Sequence, residues 1–341
     1  ALDYDVVIPT HGRRFDLLLE AIDSVDSQPL LPRAVIVVVD GVPEVATRLR
    51  HARPEVRAVC LDVPQGEAAA RQRGIEESTA DWVCFLDDDD LWSTRKQEIM
   101  AEYVAGHPDC RALCAGFWTF ASTTERVEGI NGQTIELRGE SLAELEALAT
   151  TAPPRNDLDY LDIHGDSLAC LLEYNRGNIG TAMVRREVLE KVPAAPAGLR
   201  PGADHLLFCA VARHTEWHLV RQRLMFYRLH GGQDTRTGDP AGARNILRAR
   251  TLAWEWVDGE ARRLLGDYGA TYRRDLRRFL WPLLRSRQWS EARRTYQAAR
   301  PLLPRRRDRA LALVPEPIVW RVRYRLFQQD RRTMAPRSPS W

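Results

Sequence analysis

The chain has 341 residues, 44% of them apolar and 28% charged, an ordinary balance for a soluble globular protein and enough length for about two domains. Its formal net charge of +2 conceals two opposite parts: from Arg244 onward there are 24 Arg and no Lys against 9 acidic residues, net +15, while the residues before it sum to −13. No stretch approaches the roughly 20 apolar residues of a bilayer span, and neither a signal-peptide pattern nor a paired cysteine framework is present, which argues against a transmembrane protein and a disulfide-stapled secreted module.

The expected location is the cytoplasm, with the basic C-terminal part offering a peripheral contact to the anionic inner membrane face. Cys60 and Cys84 fall inside apolar runs. Cys110 and Cys114, with His107, are the nearest thing to a metal cluster, but no second Cys/His pair follows at zinc-finger spacing, so zinc is not expected.

In chain order, Val6 to Pro9 reads as a short buried strand followed by a turn at Thr10-His-Gly12. Phe15, Leu18, Leu19, Ile22 and Val25 then recur at helical spacing. Val35 to Val39 is a second strand, apolar throughout and ending at Asp40-Gly41, and Val56 to Leu61 a weaker third. Pro64-Gln-Gly66 introduces a helix from Glu67 to Glu77. Trp82 to Leu86 is a fourth strand, and four consecutive aspartates, Asp87 to Asp90, follow it. Continuous apolar strands alternating with helices indicate a mainly parallel sheet covered on both faces. Neither GxGxxG nor GxxxxGK[ST] occurs, so a dinucleotide fingerprint and a P-loop are excluded.

Beyond the aspartates, the pattern predicts a helix at Arg95 to Ala105, a strand at Ala112 to Ala121, and a hairpin over Val127 to Leu137 around Asn131-Gly132. A short helix and an acidic loop follow over 141–165. Asn178 to Val184 reads as a strand, Arg186 to Val192 as a helix, and Glu216 to Tyr227 as a further strand. From Arg244 only helical patterns remain. Leu276, Phe279, Leu280, Leu283 and Leu284 form an apolar stripe, and Ala292 to Leu303 a partner helix. The Arg331 to Trp341 tail, with Pro336 and Pro339, has the composition of a disordered segment.

The strand ends carry the chemistry. Four adjacent carboxylates repel one another unless a cation lies among them, and hard divalent ions such as Mg²⁺ or Mn²⁺ take oxygen ligands. In open α/β sheets ligands bind at the C-terminal ends of the strands, where these acids stand. Asp40 at the second strand end suits the N–H edge of a nucleotide base. Arg71 could pair with a phosphate or with the aspartates. Together these residues suit a nucleotide-diphosphate leaving group.

Four blocks, Val6-Val-Ile-Pro-Thr-His-Gly-Arg13, Val37-Val-Val-Asp-Gly41, Gly66-Glu-Ala-Ala-Ala-Arg-Gln-Arg-Gly74 and Phe85-Leu-Asp-Asp-Asp-Asp-Leu-Trp92, resemble successive motifs of glycosyltransferase family 2, the inverting enzymes of the GT-A fold. The resemblance covers residues 4–100 closely and resumes at Asn178 to Val192, Gly202 to Leu206 and Phe226 to His230. It implies an α/β, Rossmann-like nucleotide-diphospho-sugar transferase fold, a mixed sheet with a mainly parallel N-terminal half. The catalytic domain would span 1–240, with its nucleotide half at 1–100 and its acceptor half at 101–240, followed by a basic α-helical region at 241–330 and the tail at 331–341.

The resemblance also implies roles. Pro9 and Thr10 would frame the nucleotide loop, and Asp40 would bind the base. Gly66, Arg71 and Arg228 would lie on the nucleotide-sugar side. Asp87 to Asp89 match the DxD element, Asp88 nearest the ribose and Asp89 with Asp87 on the divalent metal, to which His230 is a further candidate ligand. Asp90 extends the family's Asp-x-Asp-Asp. Asp204 matches the second acid of the family's Glu-Asp pair, the catalytic base, although Ala203 replaces the first. Asp204 also suits a helix N-cap.

The implied reaction moves a sugar from a UDP-, dTDP- or GDP-sugar to a hydroxyl acceptor on a saccharide, a lipid-linked sugar or a small natural product, by single displacement. Two other readings stay open: a sugar nucleotidyltransferase, for which Thr10-His-Gly-Arg-Arg14 is a thin phosphate loop, and a degenerate transferase acting as a scaffold through its basic helices. A nucleic-acid partner is not expected, and oligomerisation is left open.

Overall fold

A computed structural model describes residues 2–127, 129–130, 133–152, 163–173, 175–196, 198–231, 240–256 and 269–300. The chain divides into two compact units, residues 1–253 and 254–341.

The first unit is built on a nine-stranded sheet. Its first half alternates as expected: β1 (Tyr4–Thr10), α1 (Phe15–Asp26), β2 (Ala34–Val39), α2 (Pro43–Ala52), β3 (Arg57–Cys60), α3 (Glu67–Glu77) and β4 (Trp82–Phe85). These strands lie in the order β3-β2-β1-β4, all parallel. Every residue of β1 and β4 is buried, which is why, Asp5 and Thr10 apart, their sequences are apolar on both faces. α3 packs hard on β1 at Gly74, where a Cβ would come within 2.2 Å of Val7 Cγ1.

After the aspartates the chain rejoins the sheet at its far edge as β5 (Leu91–Trp92), followed by α4 (Lys96–Gly106), β6 (Ala112–Ala121), the β7–β8 hairpin (Gly129–Ile130 and Gln133–Thr134) and β9 (Leu137–Arg138). Next come α5 (Leu142–Thr151), α6 (Ser167–Glu173), β10 (Met183–Arg185), α7 (Arg186–Leu189), α8 (Ala203–Ala212), β11 (Trp217–Arg228) and α9 (Pro240–Glu255). The sheet continues β4-β10-β6-β11-β5, with β10 antiparallel to both neighbours and β6 parallel to β11. It is therefore mixed, with a parallel N-terminal half.

Three expectations change in detail. Asn178 to Val184 is not one strand: Ile179–Thr181 forms a 3-10 turn, because the Asn178 side chain accepts from Gly180 N at 2.9 Å, and extended pairing begins only at Met183. The helix expected to run to Val192 ends at Leu189. Asp204 does not cap α8; Gly202 does, at φ 112°, a left-handed conformation that suits glycine, and Asp204 sits in the first turn.

Trp92 anchors the far side of the acid run. Its indole Nε1 donates to Gly180 O at 2.8 Å, tying the strand after the aspartates to the 3-10 turn. Cys60, Cys84, Cys110 and Cys209 carry free thiols.

In the second unit, α10 (Gly269–Arg285) and α11 (Trp289–Ala299) pack together, burying Leu276, Phe279, Leu280 and Leu283 with Ala292 and Ala299, as the apolar stripe requires. The tail at 331–341 and the turn at Asn131-Gly132 lie outside the described residues. No described helix is long and apolar enough to cross a membrane.

Candidate active site

The site forms where β4 ends. β1 and β4 pair only as far as Val7 and Phe85, and Leu86 N closes the ladder on Val7 O. Pro9 shares the parity of Val7, so the N–H it lacks would face the side where β4 has already turned away. Thr10, at the end of β1, donates its hydroxyl to Asp88 Oδ2 and accepts Gly12 N at 2.9 Å. Pro9 and Thr10 thus stand at one wall of the acid cleft.

Arg71 organises the cleft. It is buried on the first turns of α3, and its guanidinium donates to Asp204 Oδ1 at 2.5 Å, to Asp87 Oδ1 at 2.7 Å and to Glu67 one turn earlier. Glu67, Asp87 and Asp204 place carboxylate oxygens within 4.8 Å of one another. Burial alone would pull the Arg71 pKa down, but Asp204 and Asp87 outweigh it and raise it. The sequence reading named three of these four residues. Glu67 was missed, though its i,i+4 spacing to Arg71 on a predicted helix was the available signal.

The four aspartates divide by environment. Burial, with Asp89 alongside, raises Asp88; burial also raises Asp87 against the pull of Arg71. Asp90 is fully buried and turned away from the cleft: one oxygen accepts Arg228 N at 2.8 Å, and burial raises its pKa well above the carboxylate range. It acts as a latch between the acid run and β11. Asp89 keeps a partly exposed carboxylate that meets His230 Nε2 at 2.9 Å.

His230 stands between two partners. Arg14 Nη1 contacts His230 Nδ1, and a guanidinium can only donate, so Nδ1 is the acceptor and the ring proton is assigned to Nε2, pointing at Asp89. In this arrangement neither ring nitrogen offers a lone pair to a metal. Arg228 commits its guanidinium to Asp89 O at 2.7 Å and Glu20 at 2.6 Å and lies 4.7 Å over the Phe120 ring. Glu20, on α1, carried no sequence signal, and Arg14 was read only as the end of a thin phosphate loop.

Asp40 is buried, and both its oxygens accept backbone protons from the loop before α3: Gln65 N at 2.7 Å and Gly66 N at 2.9 Å. His11 Nδ1 lies 3.3 Å away. Gly66 then starts α3 at φ 94°. Asp40 and Gly66 therefore form one hinge that aims α3, and with it Arg71, at the cleft.

These contacts decide which acids suit a divalent ion. The Glu67–Asp87–Asp204 group already holds a cation, the Arg71 guanidinium. Asp89 keeps a partly exposed carboxylate next in sequence to Asp87 and Asp88, whose pKa values burial raises, and carboxylate oxygens are the donors that Mg²⁺ or Mn²⁺ take.

Residues 5–155 match the model of Glycosyl transferase family 2. The chain carries a glycosyltransferase family 2 domain. Among curated relatives it is 26% identical over 225 residues to an uncharacterized glycosyltransferase, alr2836, of Nostoc sp., covering 64% of this chain and 62% of that one. It is 31% identical over 121 residues to the amylovoran biosynthesis glycosyltransferase AmsB of Erwinia amylovora, covering 33% and 40% respectively. The chain thus spans less than two thirds of these relatives. The structure of S. aureus TarS 1-349 in complex with UDP-GlcNAc superposes with a TM-score of 0.58 at 15% identity, over 87% of this chain and 81% of that one. That likeness shows the GT-A fold, and the family 2 domain supplies β1 to β6 and the whole acid run.

Proposed function

We propose that the protein is a divalent-metal-dependent, inverting glycosyltransferase that moves a sugar from a nucleotide diphosphate to an acceptor hydroxyl. The observation that carries this reading is the Arg71 bridge, which sets Asp204 from α8 beside Asp87 at the end of β4.

Asp89 and Asp87 are the residues that would hold Mg²⁺ or Mn²⁺, and such an ion supplies charge neutralisation for a departing diphosphate. Thr10 and Asp88 bound the nucleotide side of the cleft. Arg71 engages Asp204 Oδ1, which leaves Oδ2 to take the proton of the acceptor hydroxyl as attack begins. With one base acting opposite the leaving group, a single displacement inverts the anomeric carbon. Arg71 fixes the orientation that the family's missing first acid, here Ala203, does not supply. The nucleotide-sugar class rests on the family 2 domain and on TarS, whose structures hold UDP-GlcNAc and UDP.

The test is transfer from UDP-, dTDP- and GDP-hexoses in the presence of Mn²⁺, with Asp89→Ala and Asp204→Asn as variants. Asp204→Asn should keep nucleotide affinity and lose transfer, and Asp89→Ala should lose metal-dependent nucleotide binding. Wild-type turnover by Asp89→Ala removes the reading; surviving transfer in Asp204→Asn places the base elsewhere.

A further inference from the structure

β4, β6 and β11 run in the same direction, since β10 is antiparallel to both β4 and β6 and β11 is parallel to β6. The acid run follows the C-terminal end of β4. At the opposite edge, where β6 and β11 begin, a second cluster gathers from three distant segments. Asp109 precedes β6, His164 precedes α6, and His218 is the second residue of β11.

The His164 and His218 rings meet edge to face with centroids 3.9 Å apart, and Asp109 Oδ2 lies 3.8 Å from His218 Nε2. One ligand atom from each of the three lies within 4.8 Å of the others. A further contact of His218 favours this geometry. Its Nδ1 meets the Tyr103 hydroxyl at 3.2 Å, which turns Nε2 toward Asp109. Tyr103 is itself held by His107, stacked on it at 3.9 Å with Nδ1 on the Tyr103 carbonyl at 2.8 Å.

The His164 segment is pinned as firmly. Glu216, two residues before His218, accepts from Gly165 N at 3.1 Å, Ser167 N at 3.0 Å and Ser167 Oγ at 2.6 Å, so the loop carrying His164 is fastened to the start of β11. Two imidazoles facing each other beside a carboxylate suit a shared cation better than a second proton.

From this geometry we infer that Asp109, His164 and His218 form a binding site for a first-row divalent ion of the Zn²⁺ class, separate from the donor cleft. Two imidazole nitrogens and one carboxylate oxygen are a ligand set typical of zinc with an open fourth position, and the Tyr103 hydroxyl supplies the outer-shell contact that orients a ligating histidine. The bound ion staples the α4–β6 connection, the α6 entry and the start of β11. Cys110 and Cys114 take no part: both are buried, and the Cys110 thiol faces Ala112 O. The cluster is assembled by the fold from residues 109, 164 and 218, a spacing that no local pattern reveals.

The experiment is calorimetric titration of Zn²⁺ alone into the full chain at about pH 7.5, where ordinary imidazoles are neutral, with Mg²⁺ in excess to occupy oxygen sites. The wild type and Asp89→Ala should each take up one equivalent with the same affinity. Asp109 and His164 are exposed, so Asp109→Ala and His164→Ala should fold and weaken that equivalent by more than about 100-fold, beyond the cost of an outer-shell change. Tyr103→Phe should weaken it about tenfold. A wild type that takes up no Zn²⁺, equal affinity in the wild type and His164→Ala, or an equivalent lost in Asp89→Ala instead, overturns the inference.

Discussion

Arg71 and Asp204 stand 133 residues apart in sequence and meet at 2.5 Å, and the same guanidinium holds Asp87. A planar guanidinium spreads five donors over a fixed fork and reaches three separated carboxylates at once, whereas an ammonium concentrates its three donors on one nitrogen. Arg71→Met should therefore cost about 3–5 kcal/mol in urea unfolding, because three acids lose their counterion. The vacated group becomes an anionic pocket, so added Mn²⁺ should restore more stability to this variant than it adds to the wild type. Arg71→Lys should fold better than Arg71→Met yet still lose transfer. Full activity in Arg71→Lys would show that the bridge does not position Asp204.

Asp40 separates a structural role from a binding role. Asp40→Asn offers an amide N–H to one of two backbone donors, leaving Gln65 N or Gly66 N unpaired, and should cost about 1–3 kcal/mol. Nucleotide affinity, measured well below the melting temperature, should change by less than about threefold. A loss above tenfold, about 1.4 kcal/mol, would return Asp40 to the base-binding role that its sequence position suggested.

Most of the first 120 residues were legible in the sequence because their strands are buried on both faces and so are apolar throughout. α3 and β6 fall on the very residues that the pattern marks. α2 was not seen, because Ala46 and Leu49 are its only buried positions and leave almost no apolar stripe. The site was legible as a set of strand ends but not as a network. The acid run reads in sequence as a motif with Asp88 nearest the ribose and Asp89 and Asp87 toward a metal; the fold adds that Asp90 turns into the core, Asp88 meets Thr10, Asp87 meets Arg71 and Asp89 meets His230. Such sorting depends on contacts with β11 and α8, more than a hundred residues downstream.

His230 tests whether an orienting contact has been mistaken for a ligand. With its proton on Nε2, it acts on Asp89 by donating to it. His230→Gln keeps a donor at that reach and should leave Mn²⁺ affinity within about tenfold of the wild type, the lower end of an outer-shell effect. His230→Ala should weaken it further, with kcat falling more than nucleotide affinity. A loss above about 100-fold in His230→Gln would make His230 a direct ligand after all.

Lys96, one of two lysines in the chain, gives the clearest dependence of stability on pH. It is fully buried at the start of α4; its Nζ lies 4.1 Å over the Trp92 ring and has no hydrogen-bond partner among the described residues. Burial lowers its pKa from 10.5 to about 8. Between these values the unfolded chain binds more of the proton than the folded one, so this group's contribution to stability rises with pH across that window. Its benefit is complete above about 10.5 and lost as the pH falls through about 8, so near neutrality the buried ammonium is a net cost of roughly 3 kcal/mol. The cation–π contact offsets about 1 kcal/mol of it. Lys96→Met, similar in volume, should thus be more stable than the wild type by about 2 kcal/mol at pH 7. The two unfolding curves should converge as the pH approaches 10, the difference cancelling the titration of groups common to both. A variant less stable than the wild type at neutral pH would mean that the ammonium has a partner in solution.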